Sequence, residues 1–184
     1  NSRRLAAQIE AEGAVLLKNE NNTLPLSEEI TRVNVFGWAS TQWLGSCSGS
    51  GRVEKVDLDL LGALKEAGIS YNEELTRMYQ DFQPKRQKTS TLESWPEESC
   101  RLYEPDITDT EYYTEDLLKN AKEYSDTAIM VVGRLSGESN DCPQIQYKKV
   151  KKNGQLLRDK RRSYLDLSTE EEGLLRYLGE NYKN

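Results

Sequence analysis

Histidine is missing from this chain altogether. Neither a Ser-His-Asp nor a Cys-His mechanism can be assembled from it alone. A zinc site would have to rest on cysteines and carboxylates. The three cysteines, Cys47, Cys100 and Cys142, are odd in number and match no zinc or redox spacing. Free thiols in a reducing compartment are the simpler account, which slightly favours a cytoplasmic location. Long apolar runs are missing too. No window approaches the roughly 18 apolar residues that a membrane span requires, and no signal-peptide pattern opens the chain. Because the first residues already read as helix, the chain is expected to begin partway into a longer protein, which leaves secretion open. Apolar residues make up 36% of the sequence against 30% charged, and the mean hydropathy is -0.80. That is polar for 184 residues, and it fits one packed core with long solvated loops better than disorder. A net charge of -6 disfavours a nucleic-acid role. Chemistry must therefore rest on carboxylates, hydroxyls, lysine or backbone groups.

Against these absences, strand and helix patterns alternate. Leu5, Ala6 and Ile9 recur at helical spacing within residues 2–12. Ala14 to Leu17 is a short apolar run, read as a strand or extended segment that ends before Pro25. Thr31 to Gly37 is the first clear core strand. Val53 to Ala67 predicts a helix with Val56, Leu60, Leu61 and Leu64 on one face and Gly68 as its stop. Ile69 to Tyr71 predicts a short strand, and Glu73 to Phe82 and Glu115 to Tyr124 predict helices. Thr127 to Gly133 is the strongest strand, apolar throughout as if covered on both faces. Ser168-Thr169-Glu170-Glu171 announces a last helix carrying Leu174, Leu175 and Leu178.

Between these elements lie two long loops, residues 83–114 and 134–163. Tyr103, Tyr112 and Tyr113 near the end of the first are read as anchors on the core, with contact to a sugar as the alternative. Lys148 to Arg162 is a basic stretch read as a solvated loop, with Asn153-Gly154 as a tight turn. The Asn21-Asn22-Thr23 sequon is short enough to be chance. The alternation argues for a layered α/β sandwich with a mostly parallel sheet, in which a ligand crevice lies beyond the carboxyl ends of the strands. A further strand is expected after the last helix, so the domain is read as incomplete at its C-terminal end.

Two glycine-bearing loops leave such strand ends. The first, Gly45 to Gly51, lacks the Lys-Ser/Thr ending of a phosphate loop and the spacing of a dinucleotide fingerprint, so its glycines are read as permitting a tight turn. The second runs Gly133-Arg134-Leu135-Ser136-Gly137-Glu138-Ser139-Asn140-Asp141. A carboxylate on a turn at the end of a core strand is held by the sheet yet projects into the crevice. Glycoside cleavage needs such a group to protonate the leaving oxygen, opposite a second carboxylate. Glu138 fits that role, although a lone Glu on a loop is more often a surface charge.

Three stretches together resemble the α/β-sandwich domain of family 3 glycoside hydrolases, the group that includes many β-glucosidases. They are Ala11 to Glu20 with Leu24-Pro25-Leu26, Val33 to Gly37 with the loop running to Val53, and Val131 to Asp141. Tyr164 to Ser168 and its helix follow in the same order, while residues 83–114 are unmatched. The resemblance implies that residues 1–184 form one such domain within a larger retaining β-glycosidase, with Glu138 as acid/base and Asp141 and Arg134 in substrate binding, Asp141 orienting the loop. It further implies a β-linked glycoside as substrate, no metal or organic cofactor, and a nucleophile aspartate on a separate (β/α)8 barrel domain absent from this chain. The isolated chain is accordingly expected to be inactive. Ser139 stands where the motif usually has glycine and Cys142 where it has arginine. These departures motivate the alternative of a non-catalytic carbohydrate-binding or domain-packing module. A nucleotide-binding flavodoxin-like domain rests on alternation and glycines alone.

Overall fold

The computed structural model describes residues 2–43, 58–82, 104–134, 146–149 and 156–184. Two compact units are present, residues 1–30 and 31–184. In the first, helix α1 (Ser2–Gly13) buries none of its residues. The run Ala14 to Leu17 forms no strand, and Val15, Leu16 and Leu17 are exposed. Beyond it, the Asn19 side chain clasps Leu24 at both its N–H and its carbonyl, closing a turn in which Asn21 and Asn22 adopt positive φ.

The second unit is built on a parallel sheet. Strand β1 (Arg32–Phe36) lies between β2 (Ser70–Tyr71) and β3 (Ala128–Met130), paired Arg32 to Ser70 on one side and Asn34 to Ala128 on the other. β1 is buried from Val33 onward. Its Asn34, polar in the middle of the core, donates to the carbonyls of Ala121 and Ser125 and so ties the end of helix α4 (Glu115–Tyr124) to the sheet. Asn72 donates to Asn34 and Asn120 and accepts from the N–H groups of Glu74 and Leu75, capping helix α3 (Glu73–Phe82). Both of these buried amides thus have partners, as burial requires.

Helix α2 (Leu60–Glu66) is shorter than its apolar pattern, whose first residues lie outside the described ones. Asp59 caps its start. At its end Gly68, at φ +75, lets its own N–H reach Lys65 O and the Ile69 N–H reach Leu64 O. That pair of bonds is the left-handed glycine stop expected there. Helix α5 (Thr169–Asn181) begins in a full capping box between Ser168 and Glu171 and buries Leu174 and Leu178, while Leu175 faces solvent. Phe36, Trp38, Leu75, Tyr79, Tyr113, Ala121, Leu174 and Leu178 form one apolar core. Tyr113 is buried in it and Tyr112 packs edge-on against Phe82, so both anchor their segment.

Two findings depart from expectation. The basic stretch contains a hairpin of β4 (Gln146–Lys149) and β5 (Leu156–Asp159), paired antiparallel where a loop was expected. β3 is only half-buried rather than covered on both faces. On its side away from β1, Ala128 N–H donates to Asn184 O at 2.8 Å. Among the described residues no helix is long and apolar enough to cross a membrane.

Candidate active site at the strand ends

The strand order β2-β1-β3 places a switch point between β1 and β3, because the chain passes from β1 to β2 on one side and then crosses to the other side of β1 to form β3. In open parallel sheets the ligand crevice forms beyond the carboxyl ends at such a point. Here those ends are Phe36 and Met130, joined by a 2.9 Å bond from Val131 N–H to Phe36 O. Gly37 follows at φ +95, and a Cβ there would stand 2.2 Å from the Val131 carbonyl oxygen. Only glycine lets the two exits approach this closely.

The β1 exit is held by a carboxylate. Glu104 is buried, and its Oε2 accepts the Trp38 N–H at 2.9 Å while its Oε1 accepts from the Tyr79 hydroxyl at 2.8 Å and the Tyr113 hydroxyl at 3.0 Å. Burial pushes its pKa up to about 7, against the opposing pull of those three donors, and the charge of Glu171 adds to the rise. Both tyrosines are pushed well above their ordinary range, also chiefly by burial. The cluster is therefore a buried, hydrogen-bonded knot in the core.

The β3 exit is held by a cation. Arg134 donates Nε–H to Tyr164 O, Nη1–H to Gly133 O and Glu171 Oε1, and Nη2–H to Asp166 O and Glu171 Oε2. A guanidinium has five N–H donors in a rigid fork, and all are used. Glu171 Oε2 also accepts the Ser168 N–H, so the clasp is continuous with the start of α5. Beside it, Arg162 makes a second two-point pair with Glu172 and donates to Leu167 O. That pairing holds the Glu172 carboxyl below the usual carboxylate range.

Glu138, Asp141, Ser139 and the three cysteines lie outside the described residues, as do Tyr103, Asn153-Gly154 and the Gly45 to Gly51 loop. What the structure places is the frame from which the Glu138 loop departs: the end of β3, Gly133 and Arg134. Sequence reasoning missed Glu104, Glu171 and Arg162. Glu171 was visible only as a helix cap. Glu104 sat in a polar stretch with no periodicity, and its partners are brought together by the fold. Among the described residues no group of three or more carboxylates and cysteines is set to hold a metal ion.

Comparison with known proteins agrees with this frame. Residues 14–161 match the Glycosyl hydrolase family 3 C-terminal domain. A beta-glucosidase of Ruminococcus albus is 37% identical over 139 residues, 74% of this chain and 14% of that protein. Beta-glucosidase A of Butyrivibrio fibrisolvens is 31% identical over 140 residues, 74% of this chain and 15% of that protein. This chain therefore matches about a seventh of each relative's length. Among solved structures, beta-glucosidase 3B from Thermotoga neapolitana in complex with glucose overlays 98% of this chain and 22% of its own at a TM-score of 0.64 and 28% identity. A beta-glucosidase from Paenibacillus barengoltzii overlays 97% of this chain and 17% of its own, again at 0.64 and 28%. By the extent of the family match, the chain belongs to the C-terminal domain family of family 3 glycosyl hydrolases.

Proposed function

We propose that this domain supplies the acid/base half of a retaining β-glycosidase, with Glu138 as the proton donor and acceptor. The observation that carries the reading is the place where its loop leaves the sheet. Gly133 and Arg134 stand at the carboxyl end of β3, beside the β1 exit, at the switch point of a parallel sheet. The names of the relatives, all beta-glucosidases, support a β-linked glucoside or similar sugar as substrate. In such a reaction the carboxylic acid protonates the glycosidic oxygen as the leaving group departs. It then takes a proton from the water that releases the glycosyl-enzyme. The nucleophile belongs to an aspartate on a barrel domain of the same protein, so the chemistry needs two carboxylates and no metal. Asp141 orients the loop. Ser139 and Cys142 favour one second reading, a domain that binds carbohydrate or packs on its partner without reacting.

The test uses the full-length parent protein with an activated aryl β-glucoside. Glu138→Gly is expected to lose about 10²–10⁴-fold in turnover, the usual weight of general acid/base help. Azide, which needs no base, is expected to restore it and give a β-glycosyl azide. Unchanged turnover in the variant would refute the assignment. A parent that hydrolyses nothing but binds sugar would establish the second reading.

A further inference from the structure

The excursion from Arg134 to Ser163 leaves β3 and returns to α5, and its two ends meet at the first turn of that helix. Consecutive residues do the holding. Glu171 takes Arg134 from the outgoing end and Glu172 takes Arg162 from the returning end, each in a two-point pair. The pairs differ in burial. Side chains of Arg134 and Glu171 are 16% and 2% exposed, those of Arg162 and Glu172 24% and 44%. A desolvated two-point pair fixes orientation far better than a solvated one. Arg134 also binds the carbonyls of Tyr164 and Asp166, so the outgoing strand end and the returning chain share one side chain. Gln146 adds a further bond to Asp166 O.

We infer that Glu171 is a positioning residue for the acid/base loop: its buried pair with Arg134 fixes the direction in which the chain leaves β3 ahead of Glu138. The inference rests on Glu138 being the acid/base. Glu171 itself is buried, the whole residue 1% exposed, and acts through Arg134. It is anchored by its bond from Ser168 N–H and by the packing of Leu174 and Leu178, so the loop base is referred to the core rather than to solvent. Proton donation tolerates little displacement, since a shift of about 1 Å at a catalytic group can cost 10²-fold.

Leaving-group dependence separates positioning from stability. Phenyl β-glucoside needs a proton on its departing oxygen, whereas 2,4-dinitrophenyl β-glucoside departs without one. In the full-length parent, Glu171→Gln is expected to lower kcat/KM on the phenyl substrate about 10²-fold, the cost of a misplaced catalytic group. On the dinitrophenyl substrate the change is expected to be small. Arg134→Lys, which keeps the charge but not the fork, is expected to show the same selective loss in a milder form and covers the case in which Glu171→Gln does not fold. Equal losses on both substrates, or none on the phenyl substrate in a variant that melts like wild type, would overturn the inference. Glu138→Gly run alongside tells the two ideas apart. If it shows the selective loss and the clasp variants do not, positioning alone fails. If it shows no selectivity, the acid/base reading fails and the inference with it.

Discussion

At the level of single residues, Glu104 has almost no access to water, yet three donors converge on it. Desolvation outweighs those donors, and its pKa rises to about 7. Unfolding returns the group to the ordinary carboxylate range, so the folded state holds the proton more tightly. The stability this contributes is complete below about pH 4 and is lost as pH rises through 7. Glu104→Gln carries no titrating group. Chemical denaturation between pH 5 and pH 8 is therefore expected to show wild type losing stability relative to the variant, by about 3 kcal/mol at most from the size of the shift. Any fixed cost of the amide cancels in that slope, and parallel slopes would show that the carboxyl stays charged in the fold. No sequence signal marked this residue. Glu104 looked like one more acidic position in a solvated loop, because its partners Trp38, Tyr79 and Tyr113 lie 66, 25 and 9 residues away.

At the level of elements, legibility follows periodicity and punctuation. α3 and α4 appear within the bounds their apolar spacing predicted, and α5 starts at its capping box. α2 stops at the glycine whose positive φ only a residue without Cβ adopts cheaply. The hairpin β4–β5 was missed because Lys148-Lys149-Val150-Lys151-Lys152 shows neither an alternation of apolar and polar residues nor a continuous apolar run. The run Ala14 to Leu17, read as a strand or extended segment, has apolar composition but pairs with no strand among the described residues. The Ser168 cap carries a prediction at this scale. Its hydroxyl accepts the Glu171 N–H at 3.0 Å in a buried setting, and losing a cap costs about 1 kcal/mol. Ser168→Ala is expected to cost about 1–2 kcal/mol in denaturant unfolding, at the upper end because the freed N–H is buried. Ser168→Thr keeps an acceptor and is expected to cost less. An unchanged midpoint in the alanine variant would mean that the hydroxyl bond adds nothing to the Arg134 pair and the Ser168 N–H bond that also hold Glu171.

For the whole molecule, the candidate site was legible as an address more than as a set of contacts. Alternating strands and helices placed it beyond the carboxyl ends; the fold shows those ends and the switch point between β1 and β3, while Glu138 and Asp141 lie outside the described residues. The holding residues were not legible, since they pair across the chain from Arg134 to Glu171 and from Glu104 to Trp38. All of them lie within residues 31–184, the unit that contains the core. The described residues of this first unit, 2–30, contain no buried side chain. A helix of 12 residues without tertiary burial is marginal in water, because nucleation is costly and each added bond gains little. Native-state hydrogen exchange on this chain is accordingly expected to find α1 amides weakly protected. Val35 and Phe36, in the central strand, are expected to exchange only on global unfolding. If α1 exchanged as slowly as β1, its apolar residues would have to be covered in solution, and the core would then extend beyond the residues that frame the strand ends.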